Sequence, residues 1–159
     1  MNSEIESFYM IIANGVHAQL PAKGWVSATY RFRAISKMSE QSGFHTTMSG
    51  AQSKTFAVDK PARGTFALLR TAMAKINTNG QAWYTATFTL TSDGKFKFDF
   101  DYDHLPAFEV IPDPEDWLDE FSKYPRPELQ AHVQDWIDGR VAYKDYKIIV
   151  ERLKALATS

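Results

Sequence analysis

The stretch Thr85–His104, TATFTLTSDGKFKFDFDYDH, limits what this chain can fold into more than any other segment. Two alternating runs flank Ser92-Asp93-Gly94. In the second run Phe96, Phe98, Phe100 and Tyr102 share one side, and Lys97, Asp99, Asp101 and Asp103 share the other. A side-chain period of two marks a strand with one face in the core and one in water. Turn chemistry sets the register. A two-residue Asp93-Gly94 loop would put Phe88 opposite Asp99 and Leu90 opposite Lys97, mixing charge with apolar groups. A three-residue loop, with Gly94 left-handed at a bulge, pairs Leu90 with Phe96, Phe88 with Phe98, Ala86 with Phe100 and Tyr84 with Tyr102. Thr89, Thr87 and Thr85 then oppose Lys97, Asp99 and Asp101. Only this register separates core from water, so it is the expected one.

Other elements follow from the same kind of pattern. Ser3-Glu4-Ile5-Glu6 has the form of a capping box, and Ile5, Phe8, Tyr9, Ile12, Val16 and Leu20 then recur at helical spacing, predicting a helix over 4–19. Gly15 weakens it and Pro21 stops it. Residues 25–35 alternate Val26, Ala28, Tyr30, Phe32 and Ala34 with Ser27, Thr29, Arg31 and Arg33, a strand. A turn is expected at Ser39–Gly43, a partner strand over Phe44–Ser49, and a short third piece at Thr55–Val58. Pro61 opens a helix with the stripe Phe66, Leu69, Met73 and Ile76. Asp113-Pro114 starts another, with Trp117, Leu118 and Phe121 inward. Leu129, Val133, Trp136 and Ile137 mark a further helix, and Tyr146, Ile149, Val150, Leu153 and Leu156 a last one. Strands arrive as hairpins between helices. The expected class is α+β, an antiparallel β-meander sheet packed on one face by several α-helices, in a single domain over 1–159.

Charge and composition exclude several function classes. The chain has 159 residues and no cysteine, so it has no disulfides, thiol nucleophile or Cys-based zinc site. Glu4 and Glu6 stand where a signal peptide carries positive charge, and no run is long enough to span a membrane, so a cytoplasmic location is expected. The net charge of −1 conceals an asymmetry. Residues 21–80 hold nine Lys or Arg against Glu40 and Asp59, whereas 99–120 hold nine acids and no Lys or Arg. If folding keeps these apart, the acidic pole would steer a basic partner.

Motifs for catalysis are missing. There is no phosphate-binding glycine loop, no GxSxG elbow and no HExxH helix, and His17, His45, His104 and His132 fall in different elements. Asp99, Asp101, Asp103 and His104 form the one cluster of metal-ligand types, and Asp99, Asp101 and His104 are the basis for an alternative reading as a small metal-dependent enzyme. Crowded carboxylates on an exposed strand are more often simply solvated, so no metal or cofactor is assigned. Arg31, Arg33 and His45 invite comparison with nucleic-acid-binding sheets. The last hairpin, however, offers Thr and Asp where such sheets carry stacking aromatics, so no direct nucleic-acid contact is expected. Trp117 and Trp136 sit at helical spacing and belong in the core. Tyr124-Pro125-Arg126-Pro127 is either a rigid corner or a contact site.

These residues resemble a known family. Trp83, then Phe88-Thr89-Leu90, a turn ending in Gly94-Lys95-Phe96, and Asp99-Phe100-Asp101-Tyr102-Asp103 resemble the signature hairpin of the YezG-like bacterial immunity proteins. The opening helix, Leu20-Pro21 with Trp25 leading into a strand, and Tyr124-Pro125-Arg126 fit the same plan, which extends over most of residues 1–127. The resemblance implies a protein that binds and neutralises the C-terminal domain of a cognate toxin, a nuclease being the expected kind, by forming a heterodimer that occludes its active or substrate site. It implies no catalysis by this chain; an adaptor with the same fold is the other alternative. Contact residues do not transfer within such a family. On local charge, the partner-binding set expected here is Asp99, Asp101, Asp113, Glu115, Asp116, Asp119 and Glu120, with Tyr124 and Arg126.

Overall fold

The computed structural model describes residues 2–54 and 56–158. Helix α1 (Ser3–His17) begins one residue earlier than the capping box suggested. Asn2, not Ser3, is the cap, and its side-chain oxygen accepts from the Glu4 and Ile5 N–H groups at 2.9 and 3.3 Å. Ile5, Ile12 and Val16 are buried, with Phe8, Tyr9 and Leu20 packed beside them, as the spacing predicts. Gly15 has a role the sequence did not show. A Cβ there would lie 2.5 Å from the Cβ of Ala62, so the glycine lets α1 cross close over the next helix.

Strand β1 (Trp25–Ile35) turns at Ser36-Lys37 into β2 (Met38–Thr47), with Ile35 opposite Met38. The turn therefore comes earlier than Ser39–Gly43. Ser36-Lys37 has none of the Gly, Asn or Asp residues that favour a two-residue hairpin loop, and Gly43 is needed for another reason. It lies in mid-strand opposite Tyr30, and a Cβ would come within 2.5 Å of the Tyr30 ring and 2.8 Å of the Phe56 ring. Gly43→Ala should therefore lower stability by about 1–3 kcal/mol, the usual cost of overpacking. An unchanged denaturation midpoint would show that the rings move aside freely. Of the short third piece, Phe56 bridges Gly43, and further along Gln52 bridges Thr46, while Thr55 lies outside the described residues.

Helix α2 (Lys60–Ile76) follows, with Pro61 in its first turn and the Asp59 carboxylate accepting from the Ala62 N–H at 3.2 Å. It returns the chain to the free side of β1, where the hairpin β3 (Thr85–Thr91) and β4 (Phe96–Asp101) docks. The sheet order is β2-β1-β3-β4, antiparallel throughout. The fold is α+β as expected, but the second hairpin adds beside β1 rather than extending a meander from β2.

The β3–β4 hairpin has the predicted register. Leu90 pairs with Phe96, Phe88 with Phe98, Ala86 with Phe100, Thr87 with Asp99 and Thr85 with Asp101, and Gly94 has φ +87°. Tyr84 departs from it. Its N–H donates to the Asp101 carbonyl, which also faces Thr85, so two residues oppose one, a β-bulge. The bulge turns Tyr84 away from the first core and into a second one.

The first core lies between the apolar sheet face and helices α1 and α2, and includes Tyr30, Phe32, Phe66, Trp83 and Phe88. Ile76, expected in the α2 stripe, is 59% exposed; near that end Ala72 and Ala74 are buried instead, and one turn earlier Arg70 is buried too. The second core collects beyond the Ile35–Met38 end of the sheet, under α3 (Pro114–Lys123), α4 (Pro127–Gln130), α5 (Gln134–Ile137) and α6 (Lys147–Ala157). The helix expected through Leu129–Ile137 is two single turns joined by a 3₁₀ turn at Ala131–Val133. Trp117 and Trp136 are buried there, and Trp136 donates to the Pro112 carbonyl at 2.9 Å. Leu118 points outward instead, 46% exposed.

Candidate functional site

Two surfaces emerge from this arrangement. One is the polar sheet face, which, among the described residues, no helix buries along the paired rows of β1 to β4. Direct opposition sets its rows: Glu40, Arg33, Thr85 and Asp101; then Ser42, Arg31, Thr87 and Asp99; then Phe44, Thr29, Thr89 and Lys97. None of these residues is buried. His45 is not among them. It faces Ala28 on the helix side, so the grouping of His45 with Arg31 and Arg33 fails by one residue of strand parity. Phe44 is the residue that joins the two arginines. Among the described residues neither Arg31 nor Arg33 forms an ion pair. Glu40, which faces Arg33, accepts instead from the Glu109 and Val110 N–H groups at 2.8–3.0 Å and holds down the loop that leads to α3.

The acids on β4 have different roles. Asp99 is exposed and lies 3.4 Å from Lys97. Asp101 closes the strand: its carboxylate accepts from the Asp103 and His104 N–H groups at 2.9 and 3.1 Å and meets the His104 ring at 3.0 Å. Asp101 and His104 are thus joined to each other. Among the described residues no three His, Asp or Glu side chains converge on a common metal position.

The other surface is the outer side of α3. Glu115, Leu118, Asp119 and Ser122 recur at helical spacing there, with Asp113 and Asp116 at the helix start. Asp116 accepts from the Asp113 N–H at 3.1 Å, so it caps the helix as well as adding charge. Asp119 lies 3.6 Å from Lys123. Leu118, and Val110 at 64% exposure in the preceding loop, give this acidic surface apolar points of contact.

Residues 66–113 match the family model described as Immunity protein YezG-like. The matched segment runs from α2 through the hairpin to the cap of α3, the part of the chain that carries the signature residues. No curated protein matches the chain. Among the described residues no helix is long and apolar enough to cross a membrane.

Two of the expected contact residues belong to the interior of the protein. Glu120 is fully buried. Its carboxylate takes two hydrogen bonds from the Arg70 guanidinium, at 3.0 and 2.7 Å, and two more from the backbone and hydroxyl of Ser36, at 2.8 and 3.0 Å. Arg70 also donates to the Trp83 carbonyl at 2.6 Å and lies over the Tyr124 ring at 5.4 Å. One carboxylate therefore ties α3 to α2 and to the β1–β2 turn. Burial, and after it the Glu120 charge, push the neighbouring Tyr84 phenol well above its ordinary pKa.

Arg126 is 7% exposed. It donates to the Tyr102 carbonyl at 2.6 Å, to Glu128 at 2.8 Å and to Asp103 at 3.4 Å, fastening the start of α4 to the end of the hairpin. Tyr124-Pro125-Arg126-Pro127 is therefore a corner. Tyr124 stays half-buried at the edge of a cleft of about 360 Å³ whose walls include Ser36, Lys37, Arg70 and Lys123. What sequence reasoning missed was Arg70, an arginine in the apolar repeat of α2. That position was the available signal, because a charge on a core-facing side needs a buried partner.

Proposed function

We propose that this chain is an immunity protein that binds the C-terminal domain of a cognate toxin and neutralises it by occlusion, with a nuclease as the expected toxin class. The match of residues 66–113 to the YezG-like immunity family carries this reading. The neutralising step is binding alone, in the cytoplasm of the producing cell. A stable interface of this kind buries about 1,600 Å² in total.

The acidic side of α3 is the docking surface this reading favours. Glu115 and Asp119 lie on the same outer side of α3 as exposed Leu118, with Asp113 and Asp116 at the helix start, a combination suited to a groove that carries positive charge for a nucleic-acid substrate. Opposite charge would speed the encounter, and Leu118 would supply apolar area at its centre. Asp99 lies on the sheet face and adds a second acidic point.

The test is to co-express the chain with the toxin domain encoded beside it, then to measure complex formation and residual toxin activity. A 1:1 complex without activity is the expected result; an active toxin that elutes separately would overturn the reading. Within a complex, Glu115→Lys with Asp119→Lys should weaken affinity by more than about tenfold while leaving the circular dichroism unchanged. Unchanged affinity would remove α3 from the interface. Glu120 stays out of this variant, because its side chain lies inside the protein.

A further inference from the structure

The two edges of the sheet differ. Along β2 the following segment covers part of the edge, through the bridges of Gly43 with Phe56 and of Thr46 with Gln52. β4 pairs with β3 and, among the described residues, has no strand on its other side. The Thr91 N–H donates to the Lys95 carbonyl, which sets the phase of the ladder. In that phase the backbone groups of Lys97, Asp99 and Asp101 point to β3, and those of Phe96, Phe98 and Phe100 point outward. The same strand carries an aromatic row that is only partly covered. Phe96 is 36% exposed, its ring 6.1 Å from Phe98, which lies 5.8 Å from Phe100. An uncovered edge beside partly exposed rings is a template for another strand.

The sequence of this edge is complementary to itself. Residues 95–101 read Lys-Phe-Lys-Phe-Asp-Phe-Asp, basic in the first half and acidic in the second. We propose that β4 pairs antiparallel with β4 of a second copy about a two-fold axis at Phe98, joining two four-stranded sheets into one of eight strands. In this register Lys97 faces Asp99 of the second copy, and Lys95 faces its Asp101. Phe96 faces Phe100 of the second copy, and the two Phe98 residues face each other. Every charged pair is attractive, every ring meets a ring, and the outward backbone groups of Phe96, Phe98 and Phe100 are the ones brought together.

Neighbouring registers are worse. Moving the axis to Lys97 sets the two Lys97 residues against each other, and moving it to Asp99 does the same to the two Asp99 residues. Like charges directly opposed across strands are destabilising. An unrelated toxin strand would have no reason to match this order of charges, so a second copy is the occupant. The inference does not depend on what the α3 surface binds.

Sedimentation of the purified chain from about 1 to about 500 µM, the range in which small interfaces dissociate, is the first test. A concentration-dependent dimer is expected. Lys97→Asp opposes two aspartates in each of two pairs and should raise the dissociation constant by about tenfold or more, as should Asp99→Lys. Both side chains are largely exposed, so the fold survives these changes. The exchange variant, Lys97→Asp with Asp99→Lys, should recover the dimer. An equimolar mixture of the two single variants should form a heterodimer, since one strand is then acidic where the other is basic. A chain that stays monomeric throughout, a dimer indifferent to Lys97→Asp, or single variants that do not combine would each overturn the proposal. Loss of toxin binding in Lys97→Asp, with the free chain monomeric, would assign the edge to the toxin instead and overturn it too.

Discussion

Glu120→Ala should destabilise the protein by about 3–5 kcal/mol, the range for removing one partner of a buried ion pair. For a chain of this size that corresponds to a fall in melting temperature of roughly 10 °C. The reason is what remains behind. Arg70, 5% exposed, would keep its charge with only the Trp83 carbonyl as a hydrogen-bond partner, and the Ser36 N–H would lose its acceptor. A control separates the lost pair from the stranded charge. Arg70→Met with Glu120→Leu removes both charges and refills the volume, and it should cost within about 2 kcal/mol of wild type. Urea titration of the single and double variants checks both figures. A loss below about 1 kcal/mol for Glu120→Ala would mean that water reaches the guanidinium once the carboxylate is gone.

This pair also explains why the charge asymmetry of the sequence gives only a partial pole. Arg70 comes from the basic stretch and Glu120 from the acidic one, and folding places them in contact inside the protein. Arg126 pairs with Asp103 at 3.4 Å, although that carboxylate stays exposed. Asp113, Glu115, Asp116 and Asp119 are left on α3, Glu109 in the loop before it, and Asp99 at the sheet edge. Local charge counted along a chain overstates the surface field whenever opposite stretches meet in the fold.

The hairpin was legible because its two constraints agree. The face pattern and the three-residue turn select one register, and each row of the pair can be checked against it. The first hairpin was less legible, since its turn residues, Ser36-Lys37, lack the Gly, Asn or Asp of a two-residue hairpin loop, whereas Gly43 suggests a turn and instead makes room for Tyr30 and Phe56. Strand order was hidden for a different reason. Alternation says which face is buried but not which strand is the neighbour, and α2 decides that by returning the chain beside β1. On α3 the helical period located Trp117 and Phe121 correctly, yet it could not separate Glu120 from the acids around it. Its burial follows from Arg70, fifty residues away in sequence.

Phe66→Ala is expected to be as costly as the loss of Glu120, about 3–5 kcal/mol, for a different reason. Phe66 is fully buried on α2 and stacks against two rings of β1, Phe32 at 4.7 Å and Tyr30 at 5.6 Å. Removing it opens a cavity beneath the centre of the sheet. The surroundings cannot easily collapse into that space, because Tyr30 is held by its own hydroxyl, which donates to Gln41 and accepts from the Val58 N–H. Phe66→Leu keeps most of the volume and should cost roughly half as much. If the alanine variant instead lost less than about 1 kcal/mol, α2 would not be fixed against β1. The order β2-β1-β3-β4 would then lose its physical basis, since α2 is the element that carries the second hairpin to that edge. Stability of Phe66→Ala therefore tests the topology as well as the packing.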